Sequence, residues 1–333
     1  MKDENKMDQG PLVSYSSARA RWLNLMVSGA LTPLEYLLER RARPEESPIC
    51  FIVGPPRSGT TLLYELVVTR FKCGYFTNLS KRLFRVPVAA TWLCRKAMRQ
   101  RTGSFDSVYG ELGGNAAPNE AGRVWSHWMP YAAPYNLDRP GLTPAKMRRK
   151  MAAICAIAGE PMVVKNPILQ SDLPHLLKTF PNAVFLHIER DWADNARSLM
   201  KLRKDKSPGD ESGWVSLRPE GWEQYATADP LMQSCAQVML SQRDIEAHLS
   251  GPRRDGRVIK IDYERLCAQP SEVLDEIEAF WAREGITAER KPSDTPVPEI
   301  TCRRQPEDDT RDRIIACLRE MSGDAAISVE KPR

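Results

Sequence analysis

The sequence predicts an α/β fold: a P-loop type central parallel sheet flanked by helices, in a single domain with a helical insertion and N-terminal helices. Three observations lead there. Short β-rich runs alternate with helical segments from residue 49 to residue 261, and such alternation builds a parallel sheet with helices on its faces. In "CFIVGPPRSGTTLLYEL", residues 50–66, a glycine-rich turn joins an apolar run to a helix-like run. With 42% hydrophobic and 27% charged residues, the 333-residue chain also has enough apolar material for a core.

Residues 1–47 form an N-terminal helical extension. Helical spacing of Trp22, Leu25, Met26, Leu34, Leu37 and Leu38 over residues 14–43, interrupted by Pro33, predicts two short helices. "RPEESP" then links into the first strand, "ICFIV". The main domain, 48–290, continues with strands "MVVK" at 162–165, "AVFLHI" at 183–188 and "RVIKI" at 257–261. Residues 74–150 break the alternation. They are rich in aromatics (Phe76, Trp92, Phe105, Tyr109, Trp125, Trp128, Tyr131, Tyr135) and carry the loop-like "GELGGNAAPNE". They read as an insertion over the strand ends, with most aromatics in the core and a few left to line a pocket. Residues 291–333 are a C-terminal extension.

Composition excludes several classes. A net charge of +5 suits an anionic ligand but lacks the dense clustering of a nucleic-acid binder, so no nucleic-acid partner is expected. The eight cysteines are scattered without a Cys-x-x-Cys pair, several within apolar runs, and read as small core residues rather than a metal site. The start "MKDENKMDQG" is polar, and the longest early apolar run, Trp22 to Leu31, is about half a membrane span. These features predict a cytoplasmic protein with no transmembrane segment.

Gly54 to Thr61 has the spacing of a G-x-x-x-x-G-K-[ST] phosphate loop, with Thr60 where the lysine belongs. Backbone N–H groups at the helix start converge on an anion, with the Thr60 and Thr61 hydroxyls beside them. Gly59 lets the backbone approach, because a side chain there keeps a phosphate away. The cation has moved inside the loop, to Arg57, which suits a monophosphate-sized group with a second anion beside it. Among strand ends only Asp262 is a candidate for the aspartate that a nucleoside triphosphatase sets near magnesium.

"PRSGTT", Pro56 to Thr61, resembles the 5′-phosphate motif of the sulfotransferases that use 3′-phosphoadenosine 5′-phosphosulfate (PAPS). "ERDWADNARS" supplies Arg190 and, eight residues later, Ser198, which matches that family's 3′-phosphate motif. "VVKNPILQSDLPHLLKTFPNAVFLHIERD" and "RVIKIDYERLCAQP" are similar to the K-x-P and Y-E-x-L segments of tyrosylprotein and heparan-type sulfotransferases and their bacterial relatives. The resemblance runs from about 49 to 284 and implies PAPS as co-substrate and no metal. It assigns Arg57, Ser58, Gly59, Thr60, Thr61, Arg190, Ser198 and Tyr263 to the nucleotide. Arg57 and Lys165 take the charge that develops during transfer to a hydroxyl or amine of a small-molecule, lipid or glycan acceptor.

The residues leave alternatives open. Lys165 is either catalytic or a strand-end lysine reaching solvent, and Tyr263 either contacts nucleotide or packs locally. The glutamate that tyrosylprotein sulfotransferases carry after the loop helix is absent, since "KCGYFTN" has Tyr75 and Phe76 there. Glu120, in "AAPNEAGRVW", is the first candidate for the base. His127, on the same face if a helix starts near Glu120, is the second, and His187 reads as core. Arg303 and Arg304 are candidates for a late loop over the nucleotide. The rival functions are a P-loop kinase or nucleotide hydrolase, and a non-catalytic PAPS-binding pseudo-enzyme.

Overall fold

The computed structural model describes residues 18–43, 47–100, 113–129, 140–206, 214, 216–292, 300 and 308–322. Its strands are β1 (Ile49–Val53), β2 (Phe71–Lys72), β3 (Met162–Lys165), β4 (Val184–Glu189), β5 (Val258–Asp262) and β6 (Glu289–Arg290). β3, β1, β4 and β5 form, in that order, an all-parallel four-stranded sheet, and β2 pairs with β6 antiparallel. Each sheet strand lies within a residue of its sequence-predicted position.

β1, β3 and β4 are buried on both faces, as strands of parallel sheets are, while the edge strand β5 is partly exposed. Cys50 and Ile52 of β1 point into one core, with Leu63, Val67, Phe280 and Trp281. Ile49, Phe51 and Val53 point into the other, with Trp125, Trp128 and Met151. The helices, in chain order, are α1 (Ala18–Glu39), α2 (Thr60–Arg70), α3 (Asn78–Arg82), α4 (Pro87–Gln100), α5 (Gly122–Trp128), α6 (Pro144–Ala158) and α7 (Leu173–Thr179). They continue with α8 (Trp192–Lys206), α9 (Pro230–His248), α10 (Ser250–Arg254), α11 (Tyr263–Ala268), α12 (Pro270–Arg283) and α13 (Asp309–Ser322). α8, α9 and α13 share a smaller core of their own.

Phe76, Trp125 and Trp128 of the insertion form a buried edge-to-face cluster, with ring centroids 5.6 Å apart. Phe105, Tyr109, Tyr131 and Tyr135 lie outside the described residues. The seven cysteines among the described residues are buried and not joined to one another by disulfides, as their apolar surroundings predict.

One expectation fails. Pro33 does not split the N-terminal segment; α1 is a single 22-residue helix. Proline removes one ladder bond from such a helix, but both halves rest on the same support. Leu31 and Leu34 pack on Leu83, Val86, Ala89 and Ala90, and Glu35 and Glu39 reach Lys150 of α6.

Candidate functional site

All four sheet strands end on one edge, where Ile52 lies opposite Lys165 and Glu189 opposite Asp262. The residues that follow those ends (Gly54, Asn166, Arg190 and Tyr263) therefore meet around the β1–α2 loop.

Arg57 and Gly59 both have left-handed backbone, with φ of 69° and 99°. That conformation costs a side-chain-bearing residue on the order of 1 kcal/mol. Arg57 is held in it from two sides. Its Nε donates to Ser198 Oγ at 3.1 Å, and its carbonyl accepts from Arg190 Nη1 at 3.2 Å. Gly59 starts α2 and no side chain caps that end, so the first-turn N–H groups point at the loop interior with the helix dipole behind them.

Close approach excludes side chains at both ends of the loop. A Cβ at Gly54 would lie 2.6 Å from the Ile188 carbonyl oxygen, and one at Gly59 only 2.4 Å from Cδ2 of Tyr263. The reason for Gly59 is thus wider than the sequence suggests, because the Tyr263 ring already fills the space. The Gly54 N–H donates to the buried Gln170 Oε1 at 2.8 Å. Ser58 is buried, and its Oγ has no hydrogen-bond partner among the described residues. An anion of phosphate size fits this cradle: left-handed turns, an uncapped helix start, a spare hydroxyl and flanking cations.

Lys165 ends β3 beside the loop. It is only 5% exposed, so it does not reach solvent; its Nζ donates to Thr61 Oγ1 at 3.1 Å and pairs with the Glu120 carboxylate. The Glu120 carbonyl accepts from Asn166 Nδ2 at 2.9 Å, and the next residue, Ala121, is left-handed with φ 53°. α5 starts only at Gly122. Glu120 is therefore not part of that helix, and the shared-face argument for His127 fails. His127 packs instead edge-on against Phe84, with ring centroids 5.4 Å apart.

On the other side of the loop the Arg190 guanidinium lies 4.5 Å from the centre of the Tyr263 ring. Tyr263 so touches both Gly59 and Arg190; packing and a place at the site are not alternatives for it. Asp262 caps α11, its Oδ1 accepting from the Arg265 N–H at 2.6 Å. Trp222 sits edge-on to Trp214, 5.4 Å between centroids. Arg303 and Arg304 lie outside the described residues.

Four supporting residues escape sequence reasoning: Gln170, Asn166, Asp194 and Arg311. Asp194 lies 3.7 Å from Arg190 and receives Arg311 of α13 at 2.5 Å, while Arg311 also reaches Asp191 at 3.0 Å. Only the K-N-P triplet hinted at one of them, Asn166.

His187 is buried as expected, and burial holds its imidazole below the usual histidine range. The described residues do contain one group with metal-ligand character, however. His187, Glu189 and Glu246 place ligand atoms within 4.8 Å of one another. Cations already occupy those carboxylates: Lys260 lies 2.8 Å from Glu189 and 2.9 Å from Glu246, and Arg253 2.6 Å from Glu246.

The fold and loop thus define an α/β protein with three cations, Arg57, Lys165 and Arg190, around the glycine-rich β1–α2 loop. The model of the sulfotransferase family matches residues 48–284, and the chain belongs to that family, whose reaction is sulfuryl transfer. Among solved structures it is similar to the sulfotransferase STF9 from Mycobacterium avium, at 15% identity over 95% of this chain and 80% of that one, TM-score 0.47. STF1 from Mycobacterium tuberculosis is 18% identical over 90% and 81%, TM-score 0.43. A sulfotransferase from Alicyclobacillus acidocaldarius is 18% identical over 82% and 95%, TM-score 0.44. At these scores the likenesses add nothing to the family match. Among curated proteins none matches the chain.

Proposed function

We propose that the protein moves a sulfuryl group from PAPS to a hydroxyl, or an amine, of a small-molecule, lipid or glycan acceptor by in-line displacement. The observation that carries this reading is a continuous run of contacts, from Tyr263 and Arg190 through Arg57 and Ser198 to the loop, and from Thr61 to Lys165 and Glu120. The residues assigned to the two ends of the donor already touch, since Arg57 is bonded to Ser198.

In this reading the loop N–H groups, Ser58, Thr60 and Thr61 hold the 5′-phosphate, and Arg190 and Ser198 the 3′-phosphate. As the bond from sulfur to the phosphate oxygen breaks, its electron pair stays on that oxygen, and Arg57 and Lys165 face the growing charge. Cations fixed in place before the charge develops act most strongly at that moment. The acceptor oxygen forms the new bond to sulfur and its proton passes to Glu120, with His127 the second candidate. No metal is part of the reading, and a cytoplasmic location goes with it. The kinase alternative would have to draw its magnesium aspartate from Asp262, whose Oδ1 already accepts from the Arg265 N–H as the cap of α11.

Calorimetric titration with 3′,5′-ADP, 5′-AMP and ATP, on wild type and Arg190→Ala, tests the donor. A preference for 3′,5′-ADP over 5′-AMP is expected, falling about 10- to 100-fold in the variant, the range for a lost charge-assisted hydrogen bond. Tighter binding of ATP that requires magnesium, with no effect of Arg190→Ala, would sink the reading.

A further inference from the structure

Helix α1 presents its apolar side outward and its acidic side inward. At about 3.6 residues per turn, Arg19, Trp22, Met26, Pro33, Leu37 and Arg40 fall on one side. Trp22 is 65% exposed, and Leu23, Leu25, Met26, Tyr36 and Leu37 are exposed with it. Such a patch on a folded domain marks a surface that meets something.

Charge says what it meets. Both carboxylates of α1 face the protein, where Glu35 and Glu39 reach Lys150 at 2.6 and 2.5 Å. The exposed charges between residues 18 and 43 are Arg19, Arg21, Arg40, Arg41 and Arg43, two before the apolar patch and three after it. A second copy docked on this face sets arginine against arginine in either helix orientation, because both ends carry them. An anionic lipid surface has the opposite charge, and takes an apolar strip into the acyl boundary with tryptophan and tyrosine at headgroup level. No helix among the described residues is long and apolar enough to cross a membrane, so α1 lies on the surface.

We propose that α1 docks the protein onto membranes rich in anionic phospholipid, by its Trp22–Leu37 face and flanking arginines. The test is vesicle flotation of the full chain with phosphatidylcholine alone or mixed with phosphatidylglycerol, at low and high salt. Wild type is expected to float with the mixed vesicles at low salt and to leave them at high salt. Met26→Asp/Leu37→Asp, two exposed positions whose change removes no core contact, reduces binding at least about tenfold. Arg19→Ala/Arg40→Ala reduces it about fivefold per arginine. Circular dichroism and the melting temperature are unchanged in both variants. Absence of flotation with either vesicle overturns the proposal, as does flotation indifferent to both variants. So does a dimer seen by light scattering that Met26→Asp/Leu37→Asp splits while wild type ignores vesicles.

Discussion

Lys150 and Lys165 are each 5% exposed and each paired with glutamate, yet they belong to different parts of the molecule's work. Lys150 joins α6 to α1 through two carboxylates whose side chains are 6% and 11% exposed. Lys165 joins β3 to the phosphate loop, and its partner Glu120 is 36% exposed. Burial of the cation does not separate them; the freedom of the acid does. In the proposed reaction, a carboxylate that water can reach lets go of its lysine and takes the proton from the acceptor. Carboxylates sealed under a helix only hold that helix in place.

The largest effect that could break this contrast lies at Lys150. Lys150→Met leaves Glu35 and Glu39 buried without their cation, at a cost of about 3–5 kcal/mol. Urea unfolding should show the loss, and Lys150→Met/Glu35→Gln/Glu39→Gln should recover much of it, since the charges go together. An unchanged midpoint in the single variant would mean that α1 is not held by this triad.

At Lys165 the balance reverses. Lys165→Ala should lower sulfate transfer about 10²–10³-fold, the scale for removing one preorganised donor from a developing charge. Its melting temperature should stay near wild type, because Glu120 then hydrates. Turnover close to wild type would return Lys165 to a structural role. Glu120→Gln sharpens the point: transfer should fall while calorimetric affinity for 3′,5′-ADP holds.

What the sequence reveals divides along the same line. The strands are legible because parallel strands buried on both faces read as unbroken apolar runs, as "ICFIV" and "MVVK" do. The loop is legible because Gly54 and Gly59 sit where no side chain fits. Contacts across long stretches of chain are not legible. Lys165 finds Glu120 45 residues away, and Arg311 finds Asp194 117 residues away, through folding rather than pattern. α1 fails in a third manner: periodicity gives Trp22, Met26 and Leu37 a common face but not its direction, and here that face points outward.

Two glycines extend the contrast at lower energy. Gly59→Ala forces a left-handed alanine against the Tyr263 ring and should cost about 2 kcal/mol, with weaker 3′,5′-ADP binding. Gly29, inside α1, has no atom of the described residues outside its own turn of helix within 4 Å of its would-be Cβ. Gly29→Ala should stabilise by about 0.5–1 kcal/mol, since alanine loses less backbone freedom in a helix. Thermal melts of the two variants should move in opposite directions. A fall in both would mean that the Pro33 segment of α1 needs its glycine.

The smallest effect is a pH dependence at the sealed triad. Burial raises the Glu35 carboxyl above its ordinary value of 4.5, outweighing the lowering by Lys150. The folded state therefore binds this proton more tightly than the unfolded chain does, and the resulting stability is complete below 4.5. It is lost as pH rises through the higher folded value. Glu35→Gln removes that titration and leaves the other carboxylates in place. Urea midpoints of wild type should then fall relative to Glu35→Gln over that window and run parallel above it. Curves parallel throughout would mean that Lys150 fully compensates the burial of Glu35.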